Sequence, residues 1–484
     1  ATYAKPCWLL LLPLFFVFHG YTAHYESVTA ADALWLCVFY AGVMLLLSLV
    51  FLPFYKNGHK ALLAAFGVLC VQFFFGALQD FLRARILTSW LGRYSLLVPV
   101  LSILLLTWLL WLRRTRLTFI RLTAYLNLVL FLWMALDAGL FLGRLKPEKT
   151  KTVADLLPLK TPGRPPDVYL VILDEYTGSN TLKEVFGFDN GLFEKGLWDR
   201  GFHIMKNSRS NYNYTPYSIA SLLQMNYLKL NFATRNPGNI DACYEWIRNS
   251  PVIASMVHSG YHFYNYSIFD IQHQPAFMRD GFLPYGSEWI TRQTFTSRLQ
   301  RDIRFDLATG QMNWITGLKK ITYEHLTNNQ FILEQAPKAG QEDLQPKLVY
   351  LHLMLPHYPY FFDHNGRPYP FASLVNGGER NRQHYIEYLQ YGNRKILELI
   401  DQIRKAHKQP PIMLIMGDHG FRHFDRPRDH QYYFSNFSAV YLPTADYRAF
   451  YDAITPVNTF RALFNSTYGT QLPMLKDSSI YLWE

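Results

Sequence analysis

The sequence predicts a helical membrane bundle joined to an α/β domain whose central sheet is largely parallel. Residues 7–143 carry five long apolar runs. After them, short apolar segments alternate with helix-like stretches, the pattern of strands covered by crossover helices. Two of the apolar segments, Val168 to Leu173 and Ile412 to Gly417, run straight into acidic residues, Asp174 and Asp418. In open α/β sheets ligands gather beyond the strand C-termini.

The membrane spans are expected near 7–23, 33–54, 61–79, 96–112 and 119–142. A bilayer needs about 20 apolar residues per helix, fewer where end residues snorkel. The first run is short and follows Lys5 as a signal peptide would; it is read as a retained anchor. Orientation follows from the basic residues. With the N-terminus inside, cytoplasmic segments hold Lys5, Lys56, Lys60, Arg113, Arg114, Arg116 and Arg121, and outside loops hold Arg83, Arg85 and Arg93. That bias favours N-in, and five crossings then carry the following domain out of the cytoplasm. Residues 1–143 are therefore the membrane domain. Residues 144–166 are polar, basic and end in Thr161-Pro-Gly-Arg-Pro-Pro166, a linker with an interfacial segment. Residues 167–484 form the extracytoplasmic domain.

In that domain strands are expected at 168–173, 262–268, 347–355, 411–416 and 437–442, and helices at 216–226, 319–336, 381–406 and 456–465. The net charge of +11 sits largely beside apolar runs, as in Arg113-Arg114-Thr115-Arg116, so it points to membrane topology and anionic lipid, not to nucleic acid. Cys7, Cys37 and Cys70 lie in apolar runs and only Cys243 follows them. This excludes a disulfide framework or a cysteine zinc site in the second domain.

Four constellations carry candidate chemistry. Asp174-Glu175 offers hard oxygen ligands for a divalent metal just past a buried strand. Gly417-Asp418-His419-Gly420 offers a carboxylate and an imidazole, with flanking glycines expected to allow the sharp turn that brings both to one ion. Thr215-Pro216 opens a helix-like stretch; Pro suits the first helical position, which makes Thr215 the expected N-cap, where free amides and the helix dipole favour an anion. Histidines follow: His352 and His357 in Leu351-His-Leu-Met-Leu-Pro-His357, and His423 and His430 in the basic loop after Asp418.

In this order (strand-Asp, Thr before a helix, His-x4-His, Asp-His-Gly, later His), the residues resemble the alkaline phosphatase/sulfatase superfamily. Nearly the whole chain resembles its membrane-anchored branch, which includes phosphoethanolamine transferases and lipoteichoic acid synthases. The resemblance implies an alkaline-phosphatase-like domain and a divalent metal, Zn or Mn, held by Asp174, Thr215, Asp418 and His419. It makes Thr215 the nucleophile, and His357 and His430 the histidines lining the phosphate or a second metal; His352 matches more weakly, and His423 is an additional candidate. The branch usually has Glu as first ligand, so Glu175 is the alternate to Asp174. Thr215-Pro216-Tyr217-Ser218 lacks the Cys/Ser-x-Pro-x-Arg pattern from which sulfatases make formylglycine, which argues against sulfate ester hydrolysis. The implied activity moves a phosphoryl headgroup of phosphoethanolamine or phosphoglycerol type from a phospholipid to an envelope glycan or lipid, at the inner (cytoplasmic) membrane with the catalytic domain on the periplasmic or extracellular side. A phosphodiesterase or phosphatase, or an inactive structural subunit of an envelope protein complex, are the alternatives.

Overall fold

The computed structural model describes residues 10–24, 28, 30–85, 92–144, 157–160, 163–230, 237–272, 274–276, 287–299, 323–340, 345–374, 378–424, 426 and 428–482. The chain divides into two compact units, Ala1–Thr150 with Asp280–Phe305, and Lys151–Arg279 with Asp306–Glu484.

The first unit contains helices α1 (Leu11–Ala23), α2 (Ala30–Tyr55), α3 (Gly58–Arg85), α4 (Tyr94–Arg114) and α5 (Ile120–Arg144). Four of them, α2 to α5, are long and apolar enough to cross a membrane. Helix α1 has 13 described residues, about 20 Å at 1.5 Å per residue, and the start of its expected span lies outside the described residues. Val38, Leu46, Ile103 and Phe131 are all exposed. Such side chains would be a liability in water and suit a hydrocarbon surround. Inside the bundle, Gly67 of α3 meets Trp108 of α4 so closely that a Cβ there would stand 2.4 Å from the indole. His19 of α1 and Asp137 of α5 approach to 2.9 Å.

The sequence does not anticipate that a later segment, 280–305, belongs to this unit. There the Gly76 amide donates to the Gln293 carbonyl at 2.8 Å, and Arg298 grips Asp80 with both terminal nitrogens at 2.9 and 2.5 Å. Most of the expected interfacial linker, residues 145–156, lies outside the described residues.

The second unit is built on one six-stranded sheet: β1 (Val168–Leu173), β2 (His203–Ile204), β3 (His262–Tyr266), β4 (Lys347–Leu353), β5 (Ile412–Gly417) and β6 (Ser438–Tyr441). Its order is β2-β6-β5-β1-β4-β3. β1 pairs parallel with β4 and β5, and β3 with β4, while β6 is antiparallel to β5 and β2. The expected strands are present, and the two-residue β2 is an addition too short to show a period. Every residue of β1, β4 and β5 is buried, as parallel strands covered on both faces require. Val168, Leu170 and Ile172 enter one apolar cluster, and Tyr169, Val171 and Leu173 the other. Full burial of each such aliphatic side chain contributes about 1.5–3 kcal/mol.

Register then positions the site. Leu173 pairs with Leu353 on one side and Gly417 on the other. Asp174, Met354 and Asp418 therefore leave the three central strands at the same level. The Asp174 amide still donates to the Leu353 carbonyl, at 2.9 Å.

Candidate metal centre and nucleophile

At this edge two clusters of candidate ligands form. Asp174, His352 and Asp418 offer ligand atoms within 4.8 Å of one another, and so do Glu175, His357 and His423. The adjacent acids, read from the sequence as ligand and alternate, fall in separate candidate clusters. The backbone makes this so. Glu175 has φ +62°, a left-handed conformation uncommon for a non-glycine residue and costing of order 1–3 kcal/mol. Its amide donates to Asp418 Oδ1 at 3.0 Å, its carbonyl accepts from Tyr385 Oη at 2.9 Å, and Oε1 accepts from the Arg422 amide at 2.8 Å.

The turn after β5 works differently from expectation. Gly417 and Gly420 are not among the positive-φ residues. They are needed for close approach: a Cβ on Gly417 would lie 2.3 Å from the Tyr176 carbonyl oxygen, and one on Gly420 2.2 Å from that of Tyr432. Asp418 Oδ1 caps the His419 amide at 2.9 Å.

Thr215 begins the helix Thr215–Gln224, with Tyr214 as N-cap and Pro216 in the first turn, so the helix starts one residue earlier than expected. Ser218, one turn on, donates to the Asp418 carbonyl at 2.5 Å, which ties this helix to the Asp-His turn. Thr215 Oγ1 lies 3.2 Å from His419 Nε2. His419 Nδ1 faces the Gly420 carbonyl at 2.8 Å and must donate to it, so in the neutral ring Nε2 carries the lone pair. That lone pair faces the Thr215 hydroxyl, with Asp418 Oδ2 at 3.3 Å.

His352 is fully buried between Tyr350 and Asp174: Nδ1 is 3.2 Å from Tyr350 Oη and Nε2 3.2 Å from Asp174 Oδ2. This is the arrangement by which a histidine orients a ligating carboxylate, a more central place than its weaker sequence match suggests. His357 Nδ1 faces the Tyr358 carbonyl at 2.5 Å, leaving Nε2 as its uncommitted nitrogen. His423 Nε2 is 3.6 Å from Glu175 Oε1. His430 enters neither cluster; its ring is exposed and stacks on Tyr481 at 3.7 Å. The sequence reading passes over His325, whose ring meets that of His357 at 5.4 Å. A histidine within a helix-like stretch carries no sequence signal of this.

Burial alone would raise the Asp174 carboxyl, but the His357 charge, the His352 hydrogen bond and the charges of His352 and His419 outweigh it and hold it below the usual range. Burial and the neighbouring Asp174 charge raise Asp418, as two close carboxylates must. Burial and His357 push His325 down to about 4. Burial also lowers His423 against the pull of Glu175. For His357 burial is outweighed by Asp174, Glu175, the Tyr358 carbonyl and Asp418, and its titration rises.

One oxygen of each acid is left over. Asp174 Oδ1, Glu175 Oε2 and Asp418 Oδ2 are buried and accept no hydrogen bond. An unsatisfied buried polar group costs about 1–3 kcal/mol, more if charged, and a whole domain is stable by only about 5–15 kcal/mol. Two of these oxygens belong to the Asp174–His352–Asp418 cluster and the third to the Glu175–His357–His423 cluster, and carboxylate oxygens beside imidazole nitrogens are the donor types that divalent cations take.

No family model and no curated protein matches the chain. Solved structures do. The chain is similar to the C-terminal periplasmic domain of EcEptC from Escherichia coli (16% identity, 67% of this chain and 92% of that one, TM-score 0.40), which was also solved in complex with Zn. It is similar to the integral membrane lipooligosaccharide phosphoethanolamine transferase A from Neisseria meningitidis (12% identity, 95% of both chains, TM-score 0.35). A third similar structure is the phosphonate monoester hydrolase SpPMH from Silicibacter pomeroyi (12% identity, 65% of this chain and 75% of that one, TM-score 0.39). Phosphoethanolamine transferases and a phosphonate hydrolase are thus among its structural neighbours.

Proposed function

We propose that this chain is a membrane-anchored phosphotransferase of the alkaline phosphatase/sulfatase superfamily, with Thr215 as nucleophile. The carrying observation is the contact of Thr215 Oγ1 with His419 Nε2, itself 3.3 Å from Asp418 Oδ2, at a sheet edge where Asp174, Glu175 and Asp418 each keep one buried oxygen without a hydrogen bond. Asp174, Asp418 and His419, with Thr215, would hold a divalent metal, Zn or Mn; Glu175, His357 and His423 are placed for a second cation or for the phosphoryl oxygens. When bound, a divalent cation supplies charge that favours the ionised threonine and polarises a phosphoryl oxygen.

The residues divide the remaining work. Thr215 Oγ forms a bond to phosphorus as the bond from phosphorus to the lipid oxygen breaks. The threonine proton passes to solvent water, and the lipid oxygen takes up a proton from His357 as diacylglycerol or a similar lipid departs. A hydroxyl of an envelope glycan or lipid then attacks phosphothreonine, restoring Thr215. His357 Nε2 is the candidate to give the first leaving group its proton and to take the acceptor's. The apolar helices favour a lipid donor, since they keep the chain at the bilayer where headgroups are concentrated. The domain would lie on the periplasmic or extracellular side of the cytoplasmic membrane.

The test is the intact mass of wild type and Thr215→Ala after incubation with native lipid and zinc. The expected result is an adduct on wild type alone, whose mass names the headgroup. Turnover of phosphodiester with no adduct on zinc-loaded wild type would replace the transferase with a hydrolase. Absence of bound zinc, adduct and turnover would point to a structural subunit of an envelope complex.

A further inference from the structure

We infer that the helix Glu324–Ala339 is a positioning element of the site, and that Asn329 sets the place of His357 by holding the backbone of Met354. The inference rests on the phosphoryl-transfer reading above and assigns a role to residues that reading leaves unused.

Met354 is the first residue beyond β4, where the ladder no longer supplies partners. Asn329 supplies them. Its Oδ1 accepts from the Met354 amide at 2.8 Å, and its Nδ2 donates to the Met354 carbonyl at 3.0 Å. One side-chain amide thus does for Met354 what a neighbouring strand does within the sheet. Asn328 Nδ2 donates to the His352 carbonyl at 3.2 Å, the residue whose ring bonds Asp174. His325, at i−3 and i−4 from these asparagines, shares their helix face and meets His357 ring to ring. One helix face therefore reaches both clusters.

The placement has a cost that packing alone does not explain. Asn328 and Asn329 are buried, at 0% and 2% exposure, and the same helix continues with buried Ile332, Ala336 and Ala339. Asparagine is a poorer helix former than alanine by a few tenths of a kcal/mol, and an apolar residue would satisfy a core position without hydrogen bonds. What the asparagines add is a fixed backbone. Between Met354 and His357 the chain has no regular structure, so a shift at Met354 is carried to His357. A displacement of about 1 Å at a reacting group costs about 100-fold in rate.

The test compares Asn329→Ala with Ile332→Val, a loss of packing on the same helix, in the full detergent-solubilised chain. Hydrogen exchange is followed by mass spectrometry, with turnover of bis(4-nitrophenyl) phosphate in zinc and thermal stability alongside. For Asn329→Ala, exchange over residues 354–361 accelerates while the β4 peptide stays protected. Its kcat falls about 10- to 100-fold with KM within about threefold, and Ile332→Val keeps its kcat. Unchanged protection at 354–361, or a kcat that follows thermal stability equally in both variants, overturns the inference. Should wild type show neither turnover nor adduct, the phosphoryl reading falls by itself. Zinc affinity then decides the positioning role: at least about tenfold weaker binding in Asn329→Ala sustains it, and unchanged binding overturns it.

Discussion

The two ends of β1 carry an aspartate each, and the sheet treats them oppositely. Asp167, just before the strand, is fully partnered. Its Oδ1 accepts the Lys347 amide at 2.8 Å, its Oδ2 lies 3.1 Å from His407 Nε2 and 3.5 Å from Lys347 Nζ, and its carbonyl accepts the Ile412 amide at 2.8 Å. Asp174, just after the strand, keeps one buried oxygen without a hydrogen bond, as do Glu175 and Asp418 beside it. The same residue type at the two ends of one strand is fully partnered at one end and left as a candidate ligand at the other. A buried charge with matched partners serves the fold; one left short of partners among several others marks a candidate binding site.

Substitution at the open end should have the largest effect. Asp418→Asn is expected to lower phosphodiester turnover by about 10³-fold, equivalent to about 4 kcal/mol of barrier, and to weaken zinc binding. Stability of the metal-free protein should hold or rise, because a carboxyl that burial and Asp174 oppose has been removed. Turnover within tenfold of wild type would remove Asp418 from the chemistry.

At the closed end the outcome should be reversed. Asp167→Asn leaves Lys347 and His407 with an uncompensated buried environment and should cost about 3 kcal/mol, read by denaturant unfolding, with turnover kept within twofold below the unfolding range. Acid sharpens the contrast. Burial would raise Asp167, but the hydrogen bonds from His407 and Lys347 and their charges lower it. A group lowered on folding contributes stability that is full above its unfolded pKa, about 3.9, and lost as pH falls through the folded value. The gap between wild type and Asp167→Asn should therefore close on acidification below pH 4 and stay open at neutral pH; a gap independent of pH would deny Asp167 its ionised role.

The smallest effect is the response to metal. Zinc at about 100 times its dissociation constant should stabilise wild type by about 2.7 kcal/mol, and a chelator should reverse it. Asp167→Asn should respond alike and Asp418→Asn should not. An equal response in both variants would move the metal away from this edge.

The sequence by itself determined the strands and their acidic ends. A six-residue apolar run is too short for a helix of its own and, bounded by polar turns, reads as a core strand, so β1 and β5, with Asp174 and Asp418 beyond them, were legible. So were the four long apolar helices, because length and composition alone decide what a bilayer tolerates. Tertiary structure decided how the candidates were sorted. The register that sets Ile172 against His352 placed that histidine against Asp174, and a one-residue slip would have turned it to the other face. The left-handed turn at Glu175 sent adjacent acids into different clusters, and it is held by partners up to 247 positions away in sequence. His430 lies outside both clusters and stacks on Tyr481, and His325 meets the ring of His357 from a helix with no motif of its own. Local sequence fixes which groups reach the sheet edge, through period and burial; which of them meet is set by pairing between segments remote in the chain.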